Sequence, residues 1–192
     1  MASLSATADS SSSNTLSADV ARNKLIRQLR GAYSGELAAG FAYRGHWKSV
    51  KDPAEKARIR EIESEEWHHR EIVRDLLAQL GAKGSPMREA IFWIIGRALG
   101  LSCHFAGWFM PMYGAGKLER GNIVEYEEAA VYAEACGQQA MIECILSMAE
   151  VEWEHERYFR ERVAGHKWLR FFPLWDAPPV KAQIRTRFNS ER

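Results

Sequence analysis

Apolar residues recur along this chain at steps of three and four, the spacing that gathers side chains on one face of a helix. Between residues 62 and 80 the stripe reads Ile62, Glu66, His69, Val73, Leu76 and Leu80, so a carboxylate and an imidazole hold two inward positions. A second copy reads Met141, Ile145, Met148, Glu152, His155 and Phe159, ending on Arg162 or Val163. A third, Leu25, Leu29, Ala32, Glu36, Gly40, Tyr43 and Trp47, places Glu36 inside. The segment from about Met112 to Ala135 supports two stripes, one through Met112, Ala115, Glu119, Asn122, Tyr126, Ala130 and Ala133, the other through Val124, Glu128, Val131 and Ala135. Periodicity does not choose between them. The pattern predicts an all-α protein, a four-helix bundle.

Helix boundaries follow from local chemistry. Ser17 caps a helix starting at Ala18. Asp52 caps the next, with Pro53 in the first helical position and Glu55 completing a capping-box pattern. Gly81, Gly137 and Gly165 end helices.

One stretch breaks the amphipathic rule. Ala90 to Tyr113 carries only Arg97 and His104 as potential charges, and Pro111 and its glycines argue against a plain membrane span. It predicts an additional hydrophobic helix or hairpin, either buried across the bundle or dipping into a membrane interface with Trp93 and Trp108. The chain thus divides into a Ser-rich disordered tail (1–16), a bundle (17–165) and an aromatic, then proline-rich extension (166–192) that packs on the bundle, joins a homo-oligomer contact or touches lipid.

The net charge of +1 and the lack of a basic block exclude a strong nucleic-acid case. Cys103, Cys136 and Cys144 are odd in number and lack C-x-x-C spacing, which reads as reduced, mostly buried thiols. With no cationic, apolar leader in view, the expected location is cytoplasmic, with contact at a membrane surface.

The inward Glu and His residues carry the chemistry. Glu-x-x-His places both side chains on one face, one turn apart, within reach of one ion. The overlapping pair Glu65/His68 falls on the flank. Each inner pair follows another candidate carboxylate: Glu36 precedes Glu66, and Glu119 precedes Glu152, with Glu128 as competitor. A Glu plus Glu-x-x-His, repeated, is the ligand set of di-iron carboxylate bundles, and an oxygen-rich set suits two iron ions, or manganese, better than zinc. Such a pair of ions reacts with O2, and without C-x-x-C the electrons come from an external donor. His46 and His166 read as solvated or supporting the ligands, Tyr126 as a core tyrosine, and Glu125, Glu127 and Glu128 as a solvated face.

From about Leu25 to Phe159 the chain resembles the demethoxyubiquinone hydroxylases, di-iron monooxygenases of ubiquinone biosynthesis. The likeness lies in RGAYSGELAAG around Glu36, Glu66-x-x-His69, IFWIIGRALG, LERGNIVEY around Glu119, and VEWEHERYF around Glu152 and His155. It implies Glu119 as the third-helix ligand, a quinone-like or other lipophilic substrate, and membrane association through the hydrophobic stretch. Phe92, Trp93, Trp108 and Phe109 are then expected on one face, leading to a tunnel that ends near Glu119. The family usually has Asp-His-Ala-Gly-Glu at the first ligand, where this chain has Tyr33-Ser34-Gly35-Glu36 after Ala32, and often His where this chain has Glu125. The alternatives are rubrerythrin- or ferritin-like iron oxidation or peroxide removal, and a non-enzymatic, membrane-touching or oligomeric bundle.

Overall fold

The computed structural model describes residues 17–190; the predicted Ser-rich tail lies outside the described residues. Among these the structure is all helical: α1 (Ala18–Ser49), α2 (Pro53–Gln79), α3 (Pro86–Ser102), α4 (Phe109–Ala135), α5 (Gln139–Val163), a 3-10 turn (Lys167–Arg170) and α6 (Ala182–Ser190). α1, α2, α4 and α5 form the bundle, and α3 lies outside it against α1.

The caps do what their residue types dictate. The Ser17 side chain accepts from the Val20 amide, and Asp52 accepts from Ala54 and Glu55, both at 2.9 Å. Glu55 does not close a capping box; its carboxylate accepts from the Trp108 indole instead, at 2.8 Å. Gly81, Gly137 and Gly165 end helices at positive φ. α4 begins three residues earlier than its periodicity suggests, with Pro111 inside its first turn, where a helix has no partner for the missing amide.

The core has two apolar halves. One gathers Leu25, Leu29, Val73, Ile123, Ile145 and their neighbours; the other gathers Ile59, Ile62, Met112, Phe159 and Val163. Between them every bundle helix places one glutamate. The segment after Gly165 belongs to this packing: Ile184 and Phe188 of α6 join the first half of the core. The Trp153 indole donates to the Pro179 carbonyl, and Arg185 reaches Glu150 and Glu143.

α3 is neither a buried cross-member nor a hairpin with α4. Its buried residues are Gly96 and Gly100, pressed against the backbone of α1. A Cβ on Gly96 would lie 2.5 Å from the Ala38 carbonyl oxygen, and one on Gly100 2.6 Å from that of Phe41. Glycines four residues apart let two helices approach this closely. Its large residues consequently face out: Met87, Ile91, Ile94 and Leu101, followed by Phe105, are exposed. No helix among the described residues is long and apolar enough to cross a membrane. The three cysteines are free and half-buried rather than fully buried.

Candidate metal centre

Glu36, Glu66, His69, Glu119, Glu152 and His155 all lie in the layer between the two apolar halves, each no more than 3% exposed. Their ligand atoms fall into two overlapping groups. Glu36, Glu66, His69 and Glu152 form one; Glu66, Glu119, Glu152 and His155 form the other, with atoms in each group within 4.8 Å of one another. Glu66 and Glu152, the glutamates of the two Glu-x-x-His motifs, belong to both. The halves answer each other across the bundle: His69 Nδ1 lies 2.9 Å from Glu152 Oε1, and His155 Nδ1 lies 3.1 Å from Glu66 Oε1.

Which atoms already have partners shows what the layer lacks. The Tyr126 hydroxyl donates to Glu36 Oε1 and the Tyr43 hydroxyl to Glu119 Oε1, while Asn122 donates to Glu119 Oε2 at 2.9 Å. The other oxygen of Glu36, both oxygens of Glu66 and Glu152, and Nδ1 of both histidines are buried with no well-aligned hydrogen bond, and they face only one another across the layer. Unpaired buried groups of this kind are costly and call for a bound species. Outward atoms are held by protein and inward atoms converge, the division a pair of cations requires. The donor set, four carboxylates and two imidazoles, fits two divalent ions by charge and by type.

The electrostatics of the layer agree. Burial, reinforced by the charge of Glu152, pushes Glu66 and Glu119 well above the usual carboxylate range, and burial raises Glu36. Glu152 goes the other way: burial alone would raise it, but His155 and His69 outweigh that and hold it well below. Burial would lower His155, yet Glu152, Glu65 and Glu66 raise it well above its ordinary value. The layer concentrates negative charge that only protons or cations relieve.

Glu128, the competitor for the third-helix position, is exposed. His68, the flank histidine, is exposed as well. Two tyrosines were hidden in plain periodicity. Tyr43 lies seven residues past Glu36, and Tyr126 seven past Glu119, yet each bonds the other helix's glutamate. The repeated Glu-x6-Tyr spacing was the available signal. Tyr126, read as a core tyrosine, is buried and bonded to a candidate ligand. His46 is not solvated: it is buried, stacked on Tyr43 and Phe159, and burial pushes its pKa down to about 4.

A cavity of about 610 Å³ runs beneath α3 along the seam of α1 and α4. Its inner wall includes Glu36, Tyr43, Glu119 and Tyr126, and its outer wall Phe92, Ile95, Leu99 and Leu118. Of the four aromatic residues expected to lead to Glu119, only Phe92 lines it. Trp93 is exposed against Phe41, Trp108 is tied to Glu55, and Phe109 is buried against the His166 ring. Most of the approach is small or aliphatic, with Gly31, Ala38, Ile95, Leu99 and Leu118 among its residues, and Arg88 and Glu125 also line it.

A buried layer of paired carboxylates and imidazoles inside four helices defines a ferritin-like bundle with a candidate two-metal site. Residues 23–121 match the family described as ubiquinone biosynthesis protein COQ7, and the chain belongs to that family. Over 80 residues it is 34% identical to a 3-demethoxyubiquinol 3-hydroxylase of Bordetella pertussis, an alignment that takes in 41% of this chain and 35% of that relative. No solved structure matches the chain. The family match stops after Glu119, so Glu152 and His155 join the site on geometry and spacing.

Proposed function

We propose that the chain is a di-iron hydroxylase that uses O2 on a quinone-like, lipophilic ring, in keeping with the 3-demethoxyubiquinol 3-hydroxylase of Bordetella that it resembles. The observation that carries this reading is the juxtaposition of two overlapping ligand groups with an apolar cavity whose inner wall includes two of the candidate ligands. Glu36 and His69 would hold one ion, Glu119 and His155 the other, with Glu66 and Glu152 shared between them. When bound, two iron ions supply the reduction of O2 that places one oxygen atom in a C–H bond and releases the other as water, consuming two electrons and two protons.

The protein's part is position and dryness. Tyr43 and Tyr126 fix the rotamers of Glu119 and Glu36, so those carboxylates need little reorganisation when an ion enters. The mostly apolar lining disfavours water that would intercept the oxidant and offers an apolar ring a favourable path from outside. The chain carries no C-x-x-C, so an external donor supplies the electrons. The exposed face of α3 lodges the molecule on a membrane surface, where a lipophilic substrate resides. An apolar approach disfavours iron storage or peroxide removal, whose substrates are polar.

The test is anaerobic reconstitution with ferrous iron, metal analysis, and reaction of a short-tailed demethoxyquinol with ¹⁸O2 and a chemical reductant. About two irons per chain and ¹⁸O in the product are expected. Protein that retains no metal removes the reading, and turnover of peroxide without hydroxylation transfers it to the rubrerythrin-like alternative.

A further inference from the structure

The two halves of the site are not equivalent. His155 Nε2, on the edge of the ring away from the centre, lies 2.7 Å from Glu65 Oε2. Glu65 is steadied in turn by Arg58, whose Nη1 lies 3.2 Å from the same oxygen and 2.7 Å from Glu61. Glu65 immediately precedes Glu66 on α2. The reciprocal contacts of His69 with Glu152 and His155 with Glu66 relate the two motifs. The residue corresponding to Glu65 is therefore the one preceding Glu152, and it is Val151. Among the described residues the ion pair of His69 is with Glu152 on the inner edge, and no carboxylate holds its outer edge.

We propose that Glu65 is a positioning residue that makes the metal pair asymmetric, so that the ion held by Glu119 and His155 binds more tightly than the ion held by Glu36 and His69. This rests on the metal-site reading above. A neutral imidazole that donates from Nε2 to Glu65 presents its lone pair at Nδ1, the atom facing Glu66 and Glu152. The carboxylate also makes that nitrogen more basic and fixes the ring's rotation, and outer partners of this kind change metal affinity by about 10- to 100-fold. His69 has neither aid and must spend rotational freedom and tautomeric preference on binding.

The experiment titrates apo-protein with Mn²⁺ by calorimetry and follows ring-nitrogen shifts of ¹⁵N-histidine protein with Zn²⁺. Wild type is expected to bind two ions in steps differing by about tenfold or more. Glu65→Leu should weaken the tight step by about 10- to 100-fold and leave the other within twofold; Glu65→Gln, which still accepts from Nε2, should recover part of the loss. Val151→Glu should tighten the weak step. His155 should show a protonated Nε2 in wild type and a mixed population in Glu65→Leu. Two equal steps in wild type, or equal weakening of both steps by Glu65→Leu, overturn the inference. Wild type that binds no Mn²⁺ or Zn²⁺ instead removes the metal site itself. Since Glu65 is one-third exposed, both variants should fold, and a thermal melt checks it.

Discussion

In α2 the side chains turned to the interior include Glu66 and His69, whereas in α3 the only buried residues are two glycines and the exposed ones include isoleucine, leucine and methionine. The bundle buries polar groups at a cost of several kcal/mol each unless something pairs them. α3 leaves apolar groups in water, forgoing about 1.5–3 kcal/mol for each large side chain. Each violation of the usual in–out rule marks a place where the protein lacks a partner. In the bundle the missing partner is positive charge, and on α3 it is apolar surface. Only the α1-facing edge of α3 is packed as a protein interior is.

The largest expected effect comes from removing the polar side of this contrast. Glu66→Leu deletes a carboxylate common to both ligand groups, so metal content should fall from about two ions to below one and hydroxylation should disappear. Apo Glu66→Leu should nevertheless be more stable than apo wild type by about 1–4 kcal/mol in urea unfolding, because a buried carboxyl crowded by Glu152, Glu36 and Glu119 is replaced by a packed aliphatic group. A variant less stable than wild type without metal would mean the layer is satisfied by itself, and the contrast would lose its first half.

Next comes the edge of α3 that packs. Gly100→Leu must displace the Phe41 backbone or push α3 away, which should lower stability by about 1–3 kcal/mol and open the cavity wall formed by Phe92, Ile95 and Leu99. Ile94→Ser, six residues earlier on the exposed side, should change stability by no more than about 0.5 kcal/mol. Similar losses from both variants would show that α3 is covered on both sides.

The outer face itself should matter only where lipid is present. Ile94→Ser combined with Phe105→Ser should leave unfolding nearly unchanged and weaken co-sedimentation with phosphatidylcholine vesicles about a hundredfold, given the transfer energy of two large side chains. Equal sedimentation of variant and wild type would assign the face to a protein partner.

How much of this the sequence discloses follows from the same contrast. In α1, α2 and α5 the apolar stripe and the ligand residues share one period, so Glu36, Glu66, His69, Glu152 and His155 could be read directly from spacing. In α4 nearly every face has small residues, Ala115, Ala129, Ala130 and Ala133 among them, and small residues fit inside and outside alike. Glu119 therefore needed the family likeness. α3 could not be oriented from composition because it is apolar all round; the two glycines at positions 96 and 100 decide its inner face through backbone approach, which hydropathy does not register. Tail residues Ile184 and Phe188 reach the core only after a proline-rich excursion whose path no local pattern encodes.

The smallest expected effect sharpens the polar side once more, away from the candidate ligands. His46 is buried against the rings of Tyr43 and Phe159, which also meet each other, and its Nε2 has no hydrogen-bond partner. Burial pushes its pKa down to about 4, below the ordinary value of 6.5, so the folded protein resists protonating it while the unfolded chain does not. The unfolded state then binds the extra proton between these two values. The stabilising contribution of the neutral ring is complete above pH 6.5 and is lost as the pH falls towards 4. Between pH 7 and pH 5.5 this single group should cost wild type about 1 kcal/mol. His46→Gln, which cannot titrate, should flatten the stability profile over that interval by the same amount, measured by urea unfolding of Zn²⁺-loaded protein so that the other histidines contribute equally to both. Parallel profiles for the two proteins would mean that His46 reaches solvent or a proton acceptor, and that the apolar half of the core around Phe159 is less dry than its packing indicates.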